Sequence, residues 1–159
     1  EAKAWVSDGN SFALMGDGTN AFIYKFYVNN LEAKNCYRIS SSVATDVLSA
    51  DFYAFSSTRS VLFYVKNNTL YAYNYDIGNE RVDMIPLETT DEITMLKFDL
   101  TMEPMKDALY IATYSAIEGG SLRKYYVGNN PDKVELKSDP KAVWKGLTKV
   151  KNMSWRALL

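Results

Sequence analysis

Two apolar runs separated by a polar turn set the pattern of this chain: Val61-Leu62-Phe63-Tyr64-Val65 and Leu70-Tyr71-Ala72-Tyr73 flank Lys66-Asn67-Asn68. β-Branched and aromatic residues suit a pleated, half-buried surface, and Asn tolerates the positive φ of a tight turn. The stretch 60–76 therefore predicts a β-hairpin. The pattern recurs. Phe12–Met15 and Phe22–Val28 predict one hairpin across the polar loop 16–20, and Ala108–Tyr114 and Leu122–Val127 another across Glu118-Gly119-Gly120. Further strands are predicted at 36–39, 47–55, 81–87, 93–98 and 133–136, with Ser40-Ser41-Ser42 as a loop. Pro86 has no N–H to give a ladder, so the strand 81–87 belongs at a sheet edge.

Laid over one another, the return strands align Ile23 with Leu70 and Leu122, and Phe26 with Tyr73 and Tyr125. A period near 50 residues with about four strands in each predicts an all-β chain of β-propeller-like repeats, each a four-stranded antiparallel sheet. Residues 1–159 form one propeller-like segment, with blades at 5–42, 46–88 and 91–137. The first unit shows strands two to four but no clear first strand. Residues 147–156 read as a closing or first strand. Three blades are too few to close a ring of roughly four to eight, so a fragment of a longer propeller, or an open one, is expected. One large antiparallel sandwich with look-alike hairpins is the competing architecture. On the repeat reading, the aromatics of the 62–75 hairpin pack between blades instead of forming a recognition surface.

Composition narrows the function more than the fold. The apolar fraction of 47% in 159 residues supports a packed core, and 12 Tyr, 7 Phe and 3 Trp favour sheets over helix bundles. A net charge of −1 without a basic stripe argues against nucleic acid. No cationic amphipathic segment for a membrane surface is seen along the chain, and no apolar run approaches the roughly 20 residues of a membrane-spanning segment. Histidine is absent, which removes the commonest general base and zinc ligand. Cys36 is alone, so neither an intrachain disulfide nor a Cys-based metal site is expected. Neither metal nor cofactor is called for. The start, Glu1-Ala2-Lys3-Ala4-Trp5, has no charged n-region or apolar h-region, and reads as an excised segment with any targeting signal upstream.

Candidate chemistry is sparse. Asp8-Gly9-Asn10 and Asp17-Gly18-Thr19-Asn20 suggest calcium loops, but the alternate positions that should carry oxygen ligands become Phe12 and Leu14, or Ala21 and Ile23. Asp46, Asp51, Asp91, Glu92 and Asp99 lie at or near first strands, where a glycan hydrolase would draw its acids. Such an enzyme needs two carboxyls about 5–9.5 Å apart, a distance that spacing along the chain does not supply. Ser56-Ser57 and the Ser40 cluster have no His partner, so no catalytic residue is assigned. The candidate binding residues are Trp144, Trp5 and Trp155, whose rings can stack on sugars, with Trp144 before Gly146 in a predicted loop placed first.

Tyr53-Ala54-Phe55-Ser56-Ser57-Thr58-Arg59-Ser60-Val61-Leu62-Phe63-Tyr64, Leu70-Tyr71-Ala72-Tyr73 and Gly119-Gly120-Ser121-Leu122-Arg123-Lys124-Tyr125 resemble the PKD-like family of Bacteroidetes lipoproteins. The ending, Trp144 to Trp155, resembles the C-terminal signature of the same group. The resemblance implies a secreted, lipid-anchored protein of the cell envelope or outer-membrane surface that accompanies a glycan-uptake system. It also implies immunoglobulin-like domains before a propeller-like C-terminal half. Neither those domains nor the lipobox Cys is in this sequence, so anchoring is implied only for a longer parent, and the family brings no catalytic residues. The function expected is a non-enzymatic binding module that recognises an extracellular polysaccharide or an outer-membrane transport partner. Recognition would use loops at one end of the blades, through aromatic stacking and hydrogen bonds. The alternatives are a carboxylate-dependent hydrolase or lyase and a purely structural envelope scaffold.

Overall fold

The computed structural model describes residues 2–7, 10–16, 20–27, 33–56, 59–76, 78–98 and 108–153. Among these the chain forms three four-stranded antiparallel sheets and one short helix. The first sheet holds β1 (Ala2–Ser7), β2 (Asn10–Gly16), β3 (Ala21–Tyr27) and β4 (Ala33–Arg38). Helix α1 (Ser41–Leu48) leads to the second sheet, of β5 (Phe52–Phe55), β6 (Val61–Lys66), β7 (Thr69–Asn74) and β8 (Arg81–Ile85). The third holds β9 (Glu92–Phe98), β10 (Ala108–Ser115), β11 (Gly119–Val127) and β12 (Leu136–Leu147). Every sheet is a meander in chain order, and none closes on itself.

The β6–β7 turn forms as its residues dictate. Asn67 and Asn68 take φ of 50° and 56°, between the paired residues Lys66 and Thr69. Two positive φ values in a two-residue loop match the right-handed twist of the strands they join. Asn68 also ties this turn to the next sheet, because its Oδ1 accepts from the Ile93 N–H at 2.7 Å.

Alternation along β6 explains how the sheets stack. Val61, Phe63 and Val65 pack with Ile93, Phe98, Leu109 and Ile111 of the third sheet. Leu62 and Tyr64, one residue out of step, pack with Phe12, Leu14 and Ile23 of the first. The middle sheet is thus buried on both faces, which is why β6 reads as an unbroken apolar run. Phe12 stacks on Phe55 at 5.4 Å in one inter-sheet layer and Phe63 on Phe98 at 6.4 Å in the other. Five of the six aligned residues have described side chains, and these repeat in orientation; the Phe26 side chain lies outside the described residues. Ile23 faces the second sheet, Leu70 the third and Leu122 the outer side of the third, while Tyr73 and Tyr125 each face the preceding sheet. The initial strands also meet, β5 touching both β1 and β9.

Four expectations need correction. The first sheet does have a first strand, β1, whose Ala2-Lys3-Ala4 start carries little β-propensity. Residues 41–48, expected as loop and strand, are α1: Val43, Ala44, Val47 and Leu48 recur at helical spacing, and Ala44 and Val47 are buried. The final strand runs from 136 to 147 instead of 133–136. It lies at a sheet edge, where Pro140 is tolerated, and register shifts against β11 absorb its length. Residues 148–153 form no strand, and 154–156 lie outside the described residues. Instead, Val150 and Met153 cover Met95, Tyr110 and Ala112 on the outer face of the third sheet. Lys97 holds this tail, donating to the Met153 carbonyl and to Asn152 Oδ1 at 3.2 Å. The edge position expected for the fourth strand of the second unit is observed, with β8 ending just before Pro86.

The buried tyrosines predict alkaline sensitivity. Tyr64, 2% exposed and stacked on Tyr71 at 5.2 Å, has its hydroxyl pushed up to about 12 by burial, with the Asp46 charge adding to it. Burial raises Tyr75 and Tyr125 as well, and Tyr125 also donates to the Glu88 carboxylate. A phenol that ionises near 10 when unfolded but higher when folded keeps its proton longer in the native state. Stability is therefore intact below about pH 10 and falls as pH rises from there through about 12. Urea midpoints followed across that range check this, and Tyr64→Phe is expected to reduce the slope.

Candidate functional site

Residues from three connections of the second and third sheets converge at one end of the stack: Arg59 and Ser60 before β6, Asp76 and Asn79 between β7 and β8, and 128–134 between β11 and β12. They enclose a polar cleft of about 470 Å³. Arg59 clamps it across the two sheets, its guanidinium donating to the Gly128 carbonyl at 2.9 Å and to Asn129 Oδ1 at 2.8 Å. The loop that presents Arg59 is itself braced, since Ser56 Oγ accepts from the Arg59 N–H at 3.0 Å and the Tyr75 N–H donates to the Ser60 carbonyl at 2.9 Å.

Asp83 makes the second bridge between sheets. Its Oδ2 accepts from Arg81 Nε at 3.1 Å and from the Val134 N–H at 2.9 Å. Asn74 Oδ1 accepts from the Asp76 N–H at 2.9 Å, and the Asp76 carbonyl accepts from the Asn79 N–H at 3.0 Å. Asn79 is exposed, and Lys133 pairs loosely with Glu135 at 3.5 Å. The rim is thus rich in amide, carboxylate and cationic groups, with Val61, Val127 and Val134 as its apolar floor.

Lys133 and Val134 also line a second depression, so cleft and groove adjoin. This groove, of about 370 Å³, follows β8 from Asp83 to Pro86 against residues 133–137. Met84, 64% exposed, stands at its wall. Together the two make an elongated surface running from the loop end along the edge of the second sheet. Among the described residues, neither is lined by an aromatic side chain. Recognition here would rest on hydrogen bonds and charge, without the stacking expected from the tryptophans.

The tryptophans lie elsewhere. Trp144 is on β12 opposite Leu122 and 46% exposed, toward the other end of the third sheet. Trp5 is on β1, paired in register with Ala13, and its side chain lies outside what is described, as does the whole of Trp155. Of the acids considered for hydrolysis, Asp46 on α1 pairs with Lys66 at 3.0 Å and Glu92 on β9 with Lys149 at 3.1 Å, Asp51 is exposed, and Asp91 is half-buried with its N–H donating to Thr89 Oγ1 at 3.1 Å. Asp99 and the turns at Asp8-Gly9 and 17–19 are outside the described residues. Among the described residues no group of three or more His, Cys, Asp or Glu is placed to hold a metal ion, and no helix is long and apolar enough to cross a membrane. The 62–75 hairpin buries Leu62, Phe63, Tyr64, Tyr73 and Tyr75, as the repeat reading expected of its aromatics.

The cleft residues escaped the sequence reading because they come from three connections spread between Arg59 and Val134. The one sequence signal was the expectation that recognition would use loops at one end of the blades. Comparison of the chain with protein-family models, characterised proteins and solved structures returns no match.

Proposed function

We propose that this chain is a non-enzymatic binding module of the cell envelope, made of propeller-like blades, that recognises an extracellular glycan at the loop end of its second and third sheets. The observation that carries the reading is the polar cleft continuing into the β8 groove, a shape suited to an extended, hydroxyl-rich polymer. Three similar sheets stacked face to face, with their first strands in contact, support the propeller-like arrangement. The resemblance to PKD-like lipoproteins supports the envelope location, with anchoring supplied by an upstream segment. A transport protein of a glycan-uptake system is the protein partner that this resemblance suggests.

Electrophoresis through gels containing a panel of polysaccharides tests the proposal. At least one polysaccharide is expected to retard the protein, and Asn79→Ala or Lys133→Ala is expected to weaken that retardation by roughly tenfold, about one hydrogen bond, neutral for Asn79 and charge-assisted for Lys133. Both residues are exposed, so folding should be unaffected. Retention by none of the polysaccharides, while an outer-membrane transporter co-purifies, would replace the glycan with a protein partner. Product release from a polysaccharide, abolished by Asp51→Ala or Asp91→Ala, would overturn the non-enzymatic assignment.

A further inference from the structure

The three sheets end on unlike outer strands. β12 is interrupted by Pro140 and by two register shifts against β11, and it carries Lys137, Lys141 and Lys145. β4 carries Lys34 and Arg38, and its register against β3 shifts once. Lysine, proline and bulges are among the devices that keep a sheet edge from pairing with another chain. β8 has none of these within its five residues: its pairing with β7 is continuous, and Pro86 falls after it. Alternate residues of β8 turn their N–H and C=O away from β7, and no backbone group among the described residues bonds to them. Val82, 37% exposed, and Met84, 64% exposed, share one face of this edge, and Arg81 and Asp83 share the other.

The charged pair on β8 is only half engaged. Asp83 Oδ2 takes both of its hydrogen bonds, from Arg81 Nε and from the Val134 N–H. Among the described residues, Asp83 Oδ1 accepts from nothing and the two terminal nitrogens of Arg81 donate to nothing. Both side chains are nevertheless mostly covered, with 25% and 22% exposed.

We infer that β8 pairs antiparallel with β8 of a second copy of this chain, about a two-fold axis at Val82. An axis normal to the sheet keeps each face on its own side, so residues opposite one another share a face and the axis must pass through a residue. Val82 is the position that suits it. An axis at Arg81 or at Asp83 would set like charges directly opposite, which destabilises a strand pair. At Met84 it would oppose Val82 to Pro86, which has no N–H for a ladder, and Ile85 is buried. With the axis at Val82, Arg81 stands opposite the partner's Asp83, Asp83 opposite the partner's Arg81, and the two valines meet. The order cation, valine, acid is thus complementary to itself when reversed, which selects a second copy over an unrelated strand. Each copy then supplies what the other's Arg81 and Asp83 lack.

Arg81 also lines the polar cleft, so the axis would set two clefts side by side. The pairing itself does not depend on what they bind. So short an edge buries less than the roughly 1,600 Å² of a standard interface, and a weak dimer is expected, with Kd of about 10–100 µM.

Sedimentation velocity of the full chain tests the inference. The parent is expected to pass from monomer to dimer between about 5 and 500 µM, with amide exchange at 81–85 slowing over the same range. Val82→Lys and Val82→Asp should each weaken self-association by roughly tenfold or more, since like charges then meet on the axis. Mixed together, the two variants should recover a dimer within about threefold of the parent's affinity, because the opposed charges then differ in sign. Val82 is exposed, so both variants should keep the parent's thermal midpoint in dilute solution. A parent still monomeric at about 500 µM, a dimer that either variant leaves intact, or variants that do not recover on mixing would overturn the inference. So would a dimerising parent whose exchange at 81–85 is unchanged, a result that needs no variant and would place the contact elsewhere.

Discussion

Replacing Phe63 by alanine is expected to lower folding stability by about 3–5 kcal/mol, the loss typical of emptying a fully buried aromatic site. Phe63 has no exposed surface and stacks on Phe98, so it belongs to the layer joining the second and third sheets. The cavity left by Phe63→Ala would be bounded by Val61, Val65, Leu109 and Ile111 on strands already paired to their neighbours, which can collapse only in part. Phe63→Leu should cost less, because much of the volume remains. Equilibrium unfolding in urea, followed by tyrosine fluorescence and far-ultraviolet circular dichroism, measures both. The middle sheet shares its two faces with the two cores, so Phe55→Ala, which strips the layer to the first sheet, should cost a similar amount. A loss below about 1 kcal/mol for Phe63→Ala would mean that the two sheets are not joined by a close-packed layer.

Gly120→Val is the second large effect, with an expected loss of about 2–3 kcal/mol and release of the C-terminal tail. A Cβ at Gly120 would lie 2.0 Å from the Thr148 carbonyl oxygen and 2.8 Å from its carbon. Both are backbone atoms, so no rotamer change relieves the clash and the tail itself must move. Its displacement would uncover Met95, Tyr110 and Ala112 and draw Met153 away from Lys97. Two measurements separate tail release from general damage: the unfolding midpoint, and the rate of tryptic cleavage after Lys149 and Lys151. Faster cleavage is expected in Gly120→Val, whereas Lys97→Met, which removes the hydrogen bonds to Asn152 and Met153 without displacing the tail backbone, should produce a smaller change of about 1 kcal/mol. A Gly120→Val protein as stable and as protected as the parent would rule out close docking of the tail on β11.

The hairpins, the Asn67-Asn68 turn, the edge position of β8 and the inward role of the tyrosines were legible in the chain because each follows from local chemistry. Alternation at period two, a residue that accepts positive φ and a proline without a donor act within a few residues. Helix α1 was not legible, since Val43-Ala44 and Val47-Leu48 fit a short strand as well as two helical turns, and only packing on the first sheet selects between them. The length of β12 was hidden by Pro140 and by charged residues that an edge strand accepts but an isolated reading does not.

The surfaces open to partners lie beyond local reasoning altogether. Arg59 meets Gly128, and Asp83 meets Val134, only after two sheets have stacked. By itself the sequence determined that this is an all-β chain of repeated hairpins with aromatic cores. The tertiary structure decided where polar loops converge and which charged groups meet there. Those contacts join residues far apart in the chain, and the energy that brings them together comes from burying the sheet faces, not from the contacting groups themselves.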